Sequence, residues 1–279
     1  MKILLIGASG QVGWELRRTL APLGEVKGFD RFGLDVADAP VLVATVRALQ
    51  PEIIVNAAAY TAVDKAESER HQAFAVNATA PRVLAEEAKR IGALLVHYST
   101  DYVFDGGKAA PYVEDDTPHP INVYGESKLA GEQAIAKSGC RHLTLRTSWV
   151  YGPRGRNFYL TMLRLAKERP KLEVVDDQVG APTSSIAIAR ATATLVEKGA
   201  QGLYHVTAAG ETSWCGFARA ILKGAGIPTP VTPIRTEDYP TPAKRPRNSR
   251  LDCSRLRADF GTDLASWEEQ LAEVTLAAP

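Results

Sequence analysis

Short apolar runs alternate with longer amphipathic stretches through the first half of the chain. Ile3 to Ile6 precedes Val12 to Leu20, Val26 to Phe29 precedes Val41 to Leu49, and Ile53 to Val55 precedes Phe74 to Ile91. The apolar runs have strand length and the stretches between them repeat at the helical period, so the pattern predicts a βαβαβ rhythm. Leu94 to His97 and His142 to Leu145 predict two further strands, separated by a helix from about Val123 to Ala136. Strands that are apolar on both faces call for a parallel sheet covered by helices on each side. Residues 1–150 are therefore predicted to form a doubly wound parallel sheet of the α/β class.

After Trp149 the rhythm breaks. Helical periods recur near 157–168, 184–198 and 213–225, with strand-like pieces at Leu172 to Val175 and Tyr204 to Val206 between Pro-rich turns. Residues 151–279 read as a smaller mixed α/β lobe for substrate, with an approximate boundary that the chain is free to cross. Pro228 to Pro246 holds six of the 17 prolines, which predicts extended backbone without regular structure.

Composition narrows the function classes. With 279 residues the chain can bury a core without disulfide or metal staples. Lys and Arg number 33 against 32 for Asp and Glu, so no bulk charge points to nucleic acid or to an anionic membrane. Cys140, Cys215 and Cys253 lie far apart with no CxxC spacing, which fits a reducing compartment. One Lys and five apolar residues before Gly7 are too few for a signal peptide, and no membrane-length apolar run follows. A cytoplasmic protein without a membrane partner is expected. His71, His97, His119, His142 and His205 show no i,i+4 pairing, so structural or surface roles are expected and no metal. Asp176-Asp177 reads as a turn, because adjacent side chains point apart.

Candidate chemistry gathers at strand ends. The first strand runs through Gly7-Ala8-Ser9-Gly10-Gln11-Val12-Gly13 straight into a helix. Glycines there allow a tight turn and a close backbone approach to a diphosphate held at the helix N-terminus. The second strand ends at Asp30, where an acid can bind adenosine ribose hydroxyls, and Arg31 follows, where a guanidinium can take a 2′-phosphate. The dinucleotide is therefore NADPH or NADH. Asn56-Ala57-Ala58-Ala59 supplies small residues beside it. The fourth strand leads into Ser99-Thr100-Asp101, placing hydroxyls where open α/β sheets bind ligands. A hydroxyl there can stabilise charge developing on a carbonyl oxygen. Tyr124 and Lys128 are four residues apart at the head of a predicted helix, so they share a face. An ammonium about 4 Å from a phenol, at an effective dielectric near 20, supplies roughly 4 kcal/mol toward lowering its pKa from about 10.

The Gly7-x-x-Gly10-x-x-Gly13 spacing with Tyr124-x-x-x-Lys128 resembles the short-chain dehydrogenase/reductase superfamily. Further blocks narrow the likeness: Val55 through Glu67, Tyr98-Ser99-Thr100-Asp101-Tyr102-Val103-Phe104, Arg146-Thr147-Ser148-Trp149-Val150-Tyr151, Asp177-Gln178-x-Gly180-Ala181-Pro182-Thr183 and Arg245-Pro246-x-Asn248-Ser249-Arg250-Leu251. Together, in this order, they resemble the dTDP-4-dehydrorhamnose reductase family over nearly the whole chain. The resemblance implies a Rossmann domain and hydride transfer from a reduced nicotinamide to C4 of dTDP-4-dehydro-L-rhamnose. It implies Tyr124, Lys128 and Thr100 as catalytic residues, with Tyr124 protonating the new alkoxide. Gly7, Gly10, Gln11, Val12, Gly13, Asp30, Arg31, Asp35, Val36, Ala59, Tyr60, Thr61, Tyr98 and Lys128 would line the cofactor. Thr100, Asp101, Tyr124 and Trp149 would face the nucleotide sugar.

The resemblance has limits. Some members hold a metal at a dimer interface through acidic residues; Glu15 matches one, but Ser184-Ser185-Ile186-Ala187 offers no carboxylate. A homodimer remains open. Arg245, Arg247 and Arg250 fit either a diphosphate contact or an exposed basic turn. Two rival readings share the framework: a nucleotide-sugar epimerase or dehydratase that retains its oxidised cofactor, and a non-catalytic regulatory subunit of an S-adenosylmethionine synthetase.

Overall fold

The computed structural model describes residues 1–277. In chain order the first half comprises β1 (Lys2–Ile6), α1 (Gln11–Thr19), β2 (Glu25–Phe29), α2 (Ala39–Leu49), β3 (Ile53–Asn56), α3 (Val63–Ala66), α4 (Arg70–Phe74), α5 (Ala80–Ile91), β4 (Leu94–Thr100), α6 (Val123–Ser138) and β5 (His142–Thr147). The second half adds β6 (Val150–Tyr151), α7 (Phe158–Glu168), β7 (Leu172–Val175), β8 (Val179–Gly180), β9 (Thr183–Ser184), α8 (Ser185–Glu197) and β10 (Gly202–His205). It closes with β11 (Thr212–Ser213), α9 (Trp214–Gly224), β12 (Val231–Ile234), α10 (Ser254–Phe260) and α11 (Trp267–Ala277).

Six parallel strands form the main sheet in the order β10-β5-β4-β3-β1-β2. Alternate residues serve opposite faces. Ile3, Leu5, Val55 and Val96 join Leu16 of α1 and Leu195 of α8 in one core. Leu4, Ile6, Ile54 and Leu95 join Leu42 of α2, Leu84 of α5 and Ile135 of α6 in the other. This is the doubly wound architecture that the apolar runs predict. The order in which strands are added reverses at β1, which lies between β2 and β3, and such a switch point opens a crevice at the strands' carboxyl ends.

The chain crosses back to the main sheet after residue 150, as an approximate boundary allows: β10 pairs with β5 and α8 packs on α1, where the Thr19 hydroxyl donates to Ala189 O at 3.2 Å. Two expectations need correction. The helix expected from Phe74 to Ile91 is not continuous: α4 and α5 are joined by a π-helical turn, Ala75–Thr79. Pro81 explains the break, since it lacks an N–H and its ring crowds the preceding turn. The proline-rich stretch is also more regular than expected. Its β12 pairs with β7, with Pro233 tolerated at the edge of a two-stranded sheet.

A separate core holds the smaller lobe together. Tyr151, Tyr159 and Met162 pack with Phe217 and Ile221 of α9 and with Trp267, Leu271 and Val274 of α11.

Candidate active site

The turn after β1 is built for close approach. Gly7 has φ +81°, and a Cβ there would lie 2.7 Å from Ala58 N, so no other residue fits. Gly10 caps α1 in extended conformation without a side-chain cap, and Gly13 is buried inside the helix. The first-turn amides, beginning with Gln11 and Val12, are thus left for an outside acceptor, which suits a diphosphate. The Gln11 side chain is occupied elsewhere: its Oε1 accepts from Asn157 Nδ2 at 2.8 Å, tying α1 to the start of α7. Asp30 Oδ1 accepts from the backbone amides of Phe32 and Gly33 at 3.0 and 2.9 Å, which leaves its second oxygen for ribose hydroxyls. Arg31 is exposed beside it, Asp35 caps the amide of Ala37 at 3.0 Å, and Val36 is buried in the second core. These residues fit a dinucleotide.

Along the crevice, Ala59, Tyr60 and Thr61 follow β3. Asn77, in the π-helical turn, holds this segment by accepting from Tyr60 N at 2.8 Å and donating to Tyr60 O at 3.0 Å. The Tyr60 hydroxyl donates to Glu69 at 2.5 Å. The Tyr98 hydroxyl pairs with Thr192 of α8 at 2.8 Å, so its ring is fixed to the helix that covers this face of the sheet.

Tyr124 stands in the first turn of α6, which Asn122 caps by accepting from Gly125 N at 2.8 Å. A Cβ on Gly125 would lie 2.1 Å from Tyr102 O. Glycine there lets the head of α6 close onto the segment after β4 and brings Tyr124 to Thr100. The rings of Tyr102 and Tyr124 meet edge to face, 5.4 Å apart. Burial pushes the Tyr124 phenol up to about 12, with Thr100 pulling it down and Asp101 pushing it up. It therefore holds its proton at neutral pH. Thr100 donates to Asp101 Oδ1 at 3.0 Å and accepts from Tyr102 N at 3.2 Å. Burial raises the Asp101 carboxyl to about 6.

Lys128, one turn beyond Tyr124, is 2% exposed. Its Nζ donates to Tyr98 O at 2.6 Å and lies 3.3 Å from His97 Nε2. Burial lowers it to about 8, against the pull of Glu132. The lowered phenol pKa expected from a neighbouring ammonium is thus not what this arrangement gives. Desolvation dominates both groups, and the lysine is committed to β4. Trp149, just after β5, is held at φ +48° and stacked on Trp214 of α9 with centroids 3.6 Å apart.

Other expectations resolve plainly. Arg245 is bidentate to Asp64 at 2.9 and 2.9 Å, Arg247 pairs with Glu237 and Arg250 with Glu211, so the diphosphate reading loses its free guanidiniums. Asp176 and Asp177 serve different partners, Ser213 and Thr236, as turn residues do. Glu15 is buried against Arg18 at 2.8 Å. Among the described residues no group of three His, Cys, Asp or Glu side chains is placed to hold a metal, and no helix is long and apolar enough to cross a membrane.

The family model described as RmlD substrate binding domain matches residues 1–278. A dTDP-4-dehydrorhamnose reductase of Burkholderia thailandensis is 49% identical over 284 residues, covering 96% of this chain and 95% of the relative. The chain belongs to the dTDP-4-dehydrorhamnose reductase family. A second member, from Escherichia coli K12, is 47% identical over 96% of this chain and 95% of its own length. A dTDP-4-dehydrorhamnose reductase of Bacillus anthracis, solved in complex with NADP, superposes with a TM-score of 0.96 at 38% identity, covering 99% of each chain.

Sequence reasoning about this family member missed Asn77, Trp214 and the contact of His97 with Lys128. A signal for the last was present: Asn56 and His97 each end a run of three apolar residues in buried strands, and the register sets them directly opposite one another.

Proposed function

We propose that this chain reduces the 4-keto group of dTDP-4-dehydro-L-rhamnose to dTDP-L-rhamnose with NADPH or NADH in the cytoplasm, where its three unpaired cysteines stay reduced. The observation that carries the reading is the meeting of Thr100, Tyr124 and Lys128 at the carboxyl end of β4, in a chain whose relatives bear that activity by name. A bound reduced nicotinamide supplies the hydride. Gly7, Gly10, Gln11, Val12 and Gly13 receive the diphosphate on the open amides of α1. Asp30 and Arg31 read the adenosine ribose, with Asp35, Val36, Ala59, Tyr60, Thr61 and Tyr98 along the same side.

Reduction adds a proton to the oxygen while a hydride reaches the carbon. Tyr124 Oη holds that proton, and burial keeps it there until the oxygen becomes basic. Thr100 swings its hydroxyl hydrogen from Asp101 onto the carbonyl oxygen, a rotation open to any hydroxyl. Lys128 orients the nicotinamide ribose and, when protonated, favours the phenolate that remains. Asp101 and Trp149 face the sugar. The pairing of Glu15 with Arg18 supports a monomer or homodimer that needs no divalent ion.

The test is to supply dTDP-4-dehydro-L-rhamnose with NADH or NADPH and follow nicotinamide absorbance and product identity. Consumption with dTDP-L-rhamnose as product is expected. Tightly bound oxidised cofactor with no net consumption would favour the epimerase reading, and inactivity with capture of a synthetase would favour the regulatory one.

A further inference from the structure

His97 is 1% exposed, and its two ring nitrogens touch two polar side chains, Asn56 and Lys128. The backbone amide of Ala58 donates to Asn56 Oδ1 at 3.2 Å. Because a backbone N–H can only donate, this contact fixes which end of the Asn56 amide is oxygen. The other end, Nδ2, lies 3.2 Å from His97 Nδ1 and is the donor there. Nδ1 therefore presents a lone pair, and the single hydrogen of a neutral imidazole sits on Nε2. The ring is neutral, since burial holds it well below the usual histidine range.

Nε2 faces Lys128 Nζ at 3.3 Å, while that nitrogen also donates to Tyr98 O at 2.6 Å. An ammonium has three donors and no lone pair, so it meets Nε2–H hydrogen to hydrogen. An amine accepts that hydrogen and keeps its bond to Tyr98. We propose that Asn56, acting through His97, biases Lys128 toward its neutral amine and so sets the pH above which its charge is lost. His97 is a positioning residue, acting on the reaction through Lys128. The proposal deepens the reductase reading and rests on it for its role in catalysis. Burial, which lowers Lys128 to about 8, acts in the same direction beside this contact. The remaining charged or titratable groups around Lys128 are Glu132, one turn further along α6 and closed by Arg146 of β5, and the Tyr98 phenol, bonded to Thr192 of α8. Asp101 after β4 and Tyr124 at the head of α6 complete the set. Of these groups, His97 directs a hydrogen at the amine.

The experiment is a pH titration of the full-length chain labelled with 13C at lysine Cε, read by NMR without and with NADPH, with Lys128 assigned by loss of its signal in Lys128→Met. His97→Leu removes the opposing hydrogen and should raise the Lys128 midpoint by about one pH unit. Asn56→Asp should raise it at least as far, because a carboxylate draws the imidazole hydrogen to Nδ1 and turns a lone pair toward Nζ. His97→Gln, which keeps a donor there, should stay within about 0.3 of wild type. The upper limb of the kcat/KM profile should move with the midpoint. A midpoint unmoved in both His97→Leu and Asn56→Asp, or lowered in Asn56→Asp, overturns the proposal, and should His97→Leu not fold, Asn56→Asp decides alone. The lysine signal is read whether or not the sugar nucleotide is turned over, so failure of the reductase reading appears separately as absent product.

Discussion

Two buried cations, Lys128 on α6 and Arg146 on β5, are treated in opposite ways. Arg146 of β5 is bidentate to Glu132 at 2.9 and 2.6 Å, with both side chains under 9% exposed. Lys128 is as deeply buried but has a carbonyl and an imidazole for company and no carboxylate bonded to it. The first arrangement is paired: the two charges meet inside the fold, with Arg146 Nη1 alone of its nitrogens left unbonded among the described residues, so removing one partner leaves a stranded charge. The second is open, and its cost appears as the lowered lysine pKa. A buried charge left without its counterion is a group kept available for something that binds, and pairing, more than burial, separates scaffold from site.

The comparison can be broken at three points. Tyr124→Phe keeps the ring and its contact with Tyr102 but removes the proton, so turnover should fall by about 10² to 10⁴ while cofactor affinity stays level. Turnover within about threefold of wild type would remove Tyr124 from the acid's role. Glu132→Gln should lower unfolding stability by about 3 kcal/mol, because Arg146 is then buried without its carboxylate. Lys128→Met should do the reverse, leaving stability level or higher while turnover drops about 100-fold or more. Chemical denaturation of both variants checks the pair, and equal destabilisation would erase the distinction drawn here.

Sheet and site differed in how far the chain discloses them. The strands announce themselves as Ile, Leu and Val runs because a parallel sheet buried on both faces admits little else. Tyr204 to Val206 reads as a strand just as well, yet its place beside β5 depends on a partner about sixty residues earlier, which no local pattern encodes. The break at Pro81 was masked by the regular apolar period around it. The shared face of Tyr124 and Lys128 was legible because their four-residue spacing is local, while Thr100 stood out only by its place at a strand end. His97 was not, since its meaning comes from Asn56 across the sheet and Lys128 across the core. Arg245, Arg247 and Arg250 were ambiguous for the same reason, and their carboxylate partners lie at distant positions except for Glu237.

Smaller effects sharpen the picture. As pH rises through about 8, Lys128 loses its proton, so kcat/KM should decline above that pH and hold steady just below it. A profile flat to pH 10, an alkaline limit of about two units further, would show that the charge is not needed. Asp30→Asn keeps an acceptor for the amides of Phe32 and Gly33 but weakens the grip on ribose hydroxyls, so NADH affinity should drop about tenfold more than NADPH affinity. Equal losses for the two dinucleotides would take Asp30 out of the ribose contact.

The reading as a whole turns on where the hydride goes. dTDP-4-dehydro-L-rhamnose, mixed with reduced nicotinamide dinucleotide carrying deuterium at both C4 positions, gives a product whose label NMR can locate. The account predicts dTDP-L-rhamnose with one deuterium at C4 of the sugar and none elsewhere, formed in step with nicotinamide oxidation. Product without deuterium at C4, or no product from protein shown to bind both ligands, would contradict it.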